Sequence, residues 1–277
     1  MTPDQYCQKK IIKSGSSFYY SFLYLSPKKR LAITALYAFC REVDDAVDET
    51  KDPTVAQNLL EWWKNEISQM FDGIPSHPVS KAIYPHLKYY NIEKKYLFGV
   101  IKGMEMDLNI NMYQNFSSLE NYCWHVASTV GVLSAKIFGY KDKLTLKYAE
   151  KLGIALQLIN IIRDVGEDAR MNRIYLPQNE LDEFKVSNEE IFNLKQTKSF
   201  NSLMNFQYQR AKIFLDEALD LLPLKDKKSQ RAGLVMAAIY RSLLEEIRLD
   251  GFNVLKRKVS LTPIRKLLIC WLTIIKN

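Results

Sequence analysis

The apolar positions of this chain recur mainly at helical spacing. From Leu31, the residues Ala35, Leu36 and Phe39 follow at three or four residues, the signature of one buried helix face. Ser26-Pro27 ahead of Lys28-Lys29-Arg30 reads as a cap with proline in the first turn. That helix runs to about Glu49 and is broken at Lys51-Asp52-Pro53. A second helix carries Leu59, Leu60, Trp63 and Ile67 and ends at Asp72-Gly73-Ile74-Pro75, and a third opens at His77-Pro78 and ends near Asn91. Residues 93–112 predict a fourth. Leu119 to Phe138 predicts a fifth, stopped by Gly139, and Leu144 to about Asp168 a long sixth. Residues 169–200 are polar and irregular, with a capped turn at Ser187-Asn188-Glu189-Glu190. Phe206 to Leu222 and Ser229 to Leu249 predict the last long helices.

Composition supports this reading. The chain has 277 residues, 47% of them hydrophobic, with only 10 glycines and 9 prolines, too few for a sheet protein rich in tight turns. An all-α fold is expected. A charged fraction of 25% argues against wholesale disorder. No shift in composition, internal repeat or low-complexity stretch marks a boundary, so residues 1–277 are expected to form a single domain. Residues 254–277 are set apart as a tail that mixes six basic residues, no acid, and Val254, Leu255, Leu267, Leu268, Ile269, Trp271, Leu272 and Ile274. Two readings of the tail stay open: a basic amphipathic helix in peripheral contact with an anionic membrane, or a terminal helix packed on the body.

The formal net charge of +8 favours a phosphate-bearing or other anionic partner. Cys7, Cys40, Cys123 and Cys270 are scattered, and only His77, His86 and His125 occur, a pattern that fits neither a zinc site nor a disulfide framework. Reduced cysteines, no apolar signal core at the N-terminus and no run long enough to span a bilayer predict a cytoplasmic protein, peripheral at the inner membrane face if the tail docks there. The Trp62-Trp63 pair is expected in the core. On the fourth helix, Glu105 and Asp107 sit on an apolar background and are expected to be structurally paired.

Two acidic clusters change the picture. Asp44-Asp45-Ala46-Val47-Asp48 and Asp164-Val165-Gly166-Glu167-Asp168 each end an apolar helical run. Four-residue spacing puts Asp44 and Asp48 on one helix face with Asp45 beside them, and Asp164 and Asp168 on another. Counting back from Asp164 reaches Asn160 and then Gln157, a polar stripe on a helix otherwise built of Leu152, Ile154, Leu156, Leu158, Ile159, Ile161 and Ile162. Such a stripe fits the wall of a wet cavity inside a helical bundle better than a solvated surface. Carboxylates on apolar ground need a compensating charge, and Mg²⁺ bridging to a diphosphate supplies one. Arg41, Arg163, Arg170 and Arg173 flank the clusters as candidate phosphate contacts.

These motifs, taken together, resemble the squalene and phytoene synthase family of head-to-head prenyl diphosphate condensing enzymes, over nearly the whole chain. The resemblance is carried by Ser16-Ser17-Phe18-Tyr19, by Ala35-Leu36-Tyr37-Ala38-Phe39-Cys40-Arg41 leading into Asp44, by Tyr122-Cys123-Trp124 through Gly131, by Gly153 to Asp164, and by Arg173-Ile174-Tyr175-Leu176-Pro177. It implies an isoprenoid synthase fold, a helical bundle around a central cavity, with Mg²⁺ and two molecules of farnesyl diphosphate. Position by position, it places Asp44, Asp48, Asn160, Asp164 and Asp168 as metal ligands. Asp45, Tyr37 and Arg41 join the carboxylates as catalytic residues. Ser17, Gln157, Arg163, Arg173, Tyr175 and Tyr240 fall at substrate-contact positions, while Ser14 stands where some members carry histidine. Phe18 and Phe22, four apart, read either as the lining of a prenyl tunnel or as ordinary helix packing. Thr2 to Cys7, Arg41-Glu42-Val43-Asp44-Asp45 and Trp62-Trp63 look most like bacterial presqualene diphosphate synthases of hopanoid biosynthesis. Phytoene and dehydrosqualene synthases, and NADPH-using squalene synthases, remain alternatives. No nucleic-acid partner is expected.

Overall fold

The computed structural model describes residues 1–14, 18–22, 24–50 and 52–276. Among them the secondary structure is helical, apart from a single parallel bridge between Met112 and Ile174. The first helices are α1 (Pro3–Ser14), α2 (Phe18–Phe22), α3 (Pro27–Asp48), α4 (Pro53–Phe71), α5 (Pro78–Ile83) and α6 (Lys94–Asn109). Then come α7 (Phe116–Cys123), a π turn (Trp124–Ser128), α8 (Thr129–Phe138) and the 27-residue α9 (Leu144–Arg170). Two short helices, α10 (Gln178–Glu183) and α11 (Asn188–Phe192), precede α12 (Lys198–Asp220), α13 (Arg231–Leu249) and α14 (Pro263–Lys276).

Local chemistry sets most ends. Pro27 and Pro53 occupy the first turns of α3 and α4, and the Asp52 carboxylate accepts from the Thr54 N–H at 2.8 Å. Ser187 and Glu190 close a reciprocal capping box on α11. Gly139 ends α8 at φ +87°, a backbone conformation that costs glycine little. Three expectations needed revision. α1 is a helix the pattern did not delimit, because only Cys7 and Ile11 of it are fully buried and the rest is polar or partly exposed. The stretch 169–200 is only partly irregular and contains α10, α11 and the start of α12. Trp63 is in the core, but Trp62 is 43% exposed, its ring packed edge-on to Trp63.

The buried apolar side chains form two clusters. One gathers α1, α3, α4, α5 and α6, and the other gathers α9, α12 and α13, while α8 contributes to both. α3 and α9 each pack on α8, and α6 packs on α3 and the π turn, which leaves a space bounded by α3, α6 and α9. α9 crosses the π turn in near backbone contact. A Cβ on Gly153 would stand 2.7 Å from the Ala127 carbonyl oxygen, so only glycine lets the helix come this close. The Met112–Ile174 bridge, reinforced by Ile174 N–H to Asn111 O at 2.9 Å, ties the segment after α6 to the segment after α9. Side chains far apart in sequence are thereby brought to one end of the bundle.

Candidate active site

α3 and α9 present the two acidic clusters to one cleft. Cys40, Arg41, Asp44 and Asp48 line it from α3, and Gln157, Asn160, Ile161, Asp164 and Asp168 from α9. Val100, Met104 and Asp107 of α6 close another side, and Arg173 and Tyr175 reach in from the segment after α9. The helical spacing explains the selection: residues at i, i+4 and i+7 stack on one face while their neighbours turn into the core. Asp45 belongs to the other group. It does not line the cleft, and is held by Arg41 at 2.6 Å and by Lys10 of α1 at 2.9 Å.

The carboxylates are balanced by internal cations. Arg41 also holds Asp44 at 2.5 Å, and Arg173 reaches Asp48 at 3.4 Å. Arg163 donates to Asp164 through Nε at 2.7 Å, and Lys258 lies 3.2 Å from Asp164 and 2.5 Å from Glu167. Desolvation still outweighs this pairing at two positions. Burial and the nearby Asp48 raise Asp44 to about 7 against the pull of Arg41, and burial with Asp164 raises Asp168 to about 8. Arg170, a candidate phosphate contact, points elsewhere and donates to the Gly166 and Leu255 carbonyls at 2.9 and 3.2 Å.

Asp107 has a role beyond the pairing expected for it. The Tyr175 hydroxyl donates to it at 2.7 Å and the Tyr122 hydroxyl at 3.0 Å. Burial raises its carboxyl to about 6, opposed by the Tyr175 hydrogen bond. The Tyr175 ring packs with Tyr113 and Tyr122 in a three-ring cluster, its centroid 5.9 and 5.2 Å from theirs and theirs 5.4 Å apart. Asp107 thus adds a carboxylate to the cleft and fixes Tyr175 at its edge. Its only sequence signal was an acid on an apolar helix, and Glu105 two residues earlier carries the same signal. Glu105 pairs instead with Lys64 and Lys102 on the outer surface, at 2.5 and 3.2 Å.

Behind the acidic cleft lies an apolar cavity. Phe22, Ile33, Leu36, Val130, Ala149, Leu152, Met236 and Tyr240 are among its walls, and Tyr148 and Phe138 also line it. Cys40, Val126, Gln157 and Asn160 line both spaces, so a molecule with a charged head and an apolar tail would cross at these residues. Tyr37 faces the apolar side, and Tyr240 is buried near Asn160 and Arg163. Phe22 borders this cavity and is also part of the core packing. Ser17 and the Phe18 side chain lie outside the described residues, as does the side chain at Ser14.

The same junction supplies a test of metal fit. The Asn160 amide nitrogen donates to Gln157 Oε1 at 3.2 Å, while the buried Asn160 Oδ1 has no hydrogen-bond partner. A buried carbonyl oxygen without a donor is costly, and a hard cation would satisfy it. With Asp44, Asp48, Asp164 and Asp168 it makes an all-oxygen donor set, which suits Mg²⁺ and not zinc. Among the described residues no three His, Cys, Asp or Glu side chains stand grouped around one point.

An all-helical bundle with facing carboxylate walls and an apolar cavity opening off them is the isoprenoid synthase fold. The chain belongs to the squalene/phytoene synthase family, whose model matches residues 11–265. The family comprises prenyltransferase-type enzymes of head-to-head condensation, typically dependent on divalent metal. Chloroplastic phytoene synthase 1 of Arabidopsis thaliana is 34% identical over 94% of this chain and 63% of its own length. The chain therefore spans under two thirds of that relative. Chloroplastic phytoene synthase 2 of Solanum lycopersicum is also 34% identical, over 95% of this chain and 86% of its own. Among solved structures, a ligand-bound dehydrosqualene synthase superposes with a TM-score of 0.90 at 27% identity, covering 98% of this chain and 95% of that one. Squalene synthase HpnC of Alicyclobacillus acidocaldarius superposes at 0.81 with 25% identity, over 91% and 95%.

Proposed function

We propose that this chain, acting as one domain, condenses two farnesyl diphosphates head to head and releases presqualene diphosphate and diphosphate. The observation that carries the proposal is the continuity of the acidic cleft with the apolar cavity through Gln157 and Asn160. A diphosphate seated among the carboxylates would leave its prenyl tail in the cavity, with the scissile C1–O bond near that junction. Mg²⁺ held by Asp44, Asp48, Asn160, Asp164 and Asp168 would neutralise the diphosphate and assist its departure. The substrate's phosphates give Arg41 and Arg173 new partners once their aspartates are engaged, because both guanidiniums already line the cleft. Arg163, paired with Asp164 and close to Tyr240, braces the α9 wall from behind.

In this reading the C1–O electron pair of the donor leaves with the diphosphate. The C2–C3 double bond of the acceptor attacks the allylic cation, and a proton lost from the former C1 closes the cyclopropane. The departing diphosphate takes that proton, since no histidine lines either space. Tyr37 and Tyr240 supply aromatic rings beside the junction that stabilise positive charge, and the apolar walls keep water from trapping the cation. The basic tail brings the enzyme to a membrane surface, which suits a product with two prenyl tails.

A second reading has specific support. The 34%-identical relatives are phytoene synthases, so two geranylgeranyl diphosphates carried on to a C40 hydrocarbon are the competing outcome. Incubation with each prenyl diphosphate and Mg²⁺, with and without NADPH, separates the two. Presqualene diphosphate as the product from farnesyl diphosphate is expected. A hydrocarbon formed without release of a cyclopropyl diphosphate would sink the presqualene assignment.

Metal binding should also depend on pH. Asp44 and Asp168 keep protons in the metal-free fold up to about 7 and 8, whereas an unfolded aspartate loses its proton near about 3.9. The unfolded state therefore binds fewer protons through this window, and the metal-free fold loses stability as pH rises towards 8. Mg²⁺ needs the ionised carboxylates, so its stabilising effect should grow over the same window. The expected result is a larger Mg²⁺-induced rise in unfolding temperature at pH 8 than at pH 6. An equal rise at both would show that protons and metal do not compete there.

A further inference from the structure

α14 carries a second apolar stripe on the side turned away from the body. Ile264, Leu267, Leu268, Trp271, Leu272 and Ile275 follow at the three- and four-residue spacing of one helix face, and all six are 42–80% exposed. The face turned to the body carries Ile269, Cys270 and Ile274, which pack on the core, together with Lys266 and Thr273. Cys270 is fully buried with its Sγ 3.5 Å from the Tyr20 carbonyl, and Lys266 Nζ lies 5.8 Å from the Tyr20 ring centroid. α14 packs mainly on α13 and α2, and among the described residues this apolar stripe lies on the side away from them, without a partner.

We propose that this stripe docks in the plane of an anionic lipid bilayer. The inference rests on the membrane contact proposed above and specifies its face, its partner and its consequence. Charge complementarity selects the partner: residues 254–277 carry six basic residues and no acid, of which Arg257, Lys258 and Arg265 pair with acids of the body and Lys266 faces inward. Lys256 and Lys276 are exposed and, among the described residues, form no ion pair. Trp271 stands in the middle of the stripe, where an indole ring suits the headgroup level. No helix of the described residues is long and apolar enough to cross a membrane, so the helix lies on the surface. The docked side is linked directly to the catalytic interior. α14 packs on α2, and Ser21 and Phe22 of α2 wall the apolar cavity. The bilayer is then one helix layer from the space that holds the prenyl tails.

The test is sedimentation of the substrate-free protein with vesicles, which reads docking whatever the enzyme makes. The protein should pellet with phosphatidylglycerol–phosphatidylcholine vesicles, release in high salt, and stay in solution with phosphatidylcholine alone. Leu268→Glu with Trp271→Glu should weaken pelleting about tenfold or more. Its unfolding temperature and its turnover of detergent-dispersed substrate should match the unmodified chain, since neither residue touches the cavity or the cleft. Pelleting that ignores lipid charge, or that survives the double substitution, overturns the proposal. So does light scattering that shows a dimer which the double substitution splits, because the stripe would then cover a second copy of this chain.

Discussion

Asp44→Ala and Asp164→Ala should each lower product formation from farnesyl diphosphate at saturating Mg²⁺ by about 10³-fold or more. The two carboxylates stand on opposite walls of the cleft, and in the proposed reading each would ligate the metal. Lewis-acid stabilisation of a leaving diphosphate is worth several kcal/mol, and each 1.4 kcal/mol is about tenfold in rate. Asp45→Ala is the internal comparison. Its carboxylate faces Lys10 and Arg41 outside the cleft, so it should cost far less. Steady-state assays with a thermal-unfolding control check the series. Unchanged turnover in Asp44→Ala and Asp164→Ala would remove the metal from the mechanism, and a loss in Asp45→Ala equal to theirs would mean the cleft is wrongly assigned.

Gly153→Val should lower the unfolding temperature by about 2–12 °C. Its new Cβ would lie 2.7 Å from both the Ala127 carbonyl oxygen and the Ser128 Cα, backbone atoms that cannot rotate away. Overpacking of this kind costs about 1–3 kcal/mol, and a chain of this size moves by roughly 2–4 °C per kcal/mol. The loss should extend to function, because Gln157 and Asn160 lie one and two turns further along the same helix. Scanning calorimetry measures the first effect and Mg²⁺ titration the second. A variant that melts at the temperature of the unmodified chain would show that α9 and the π turn are not in backbone contact.

The helices of the chain were legible because their signals are local. Pro27 and Pro53 in first turns, Gly139 at a helix end and the Ser187–Glu190 capping box act within a few residues of themselves. The long helix from Leu144 was legible for the same reason, ending at Arg170 where the pattern placed its end near Asp168. α1 was not delimited, since two buried residues in twelve leave little periodicity to read. Trp62 and Trp63 are adjacent on a helix and therefore about 100° apart on its surface, so one can be buried while the other is exposed.

The candidate site divides along the same line. Four-residue spacing aligned Asp44 with Asp48 and Asp164 with Asp168, and seven-residue recurrence put Gln157 on the face of Asp164; all five line the cleft. Spacing along one helix cannot reveal what stands opposite. That Asp45 pairs with Lys10, that Asp107 receives the Tyr122 and Tyr175 hydroxyls, and that Arg170 caps carbonyls rather than facing the cleft all depend on other segments. The Met112–Ile174 bridge is the plainest case, joining residues from the ends of two helices to bring Asp107 and Tyr175 together.

What the sequence determined by itself is the helical alphabet of this protein and the two carboxylate faces, because helix periodicity fixes which side chains share a side before any packing occurs. Only the tertiary structure decided which carboxylates meet, where the wet cleft becomes an apolar cavity, and that α14 turns its apolar stripe outward. Those outcomes depend on close approaches between distant segments, such as Gly153 on Ala127 and Cys270 on Tyr20, that no single helix encodes.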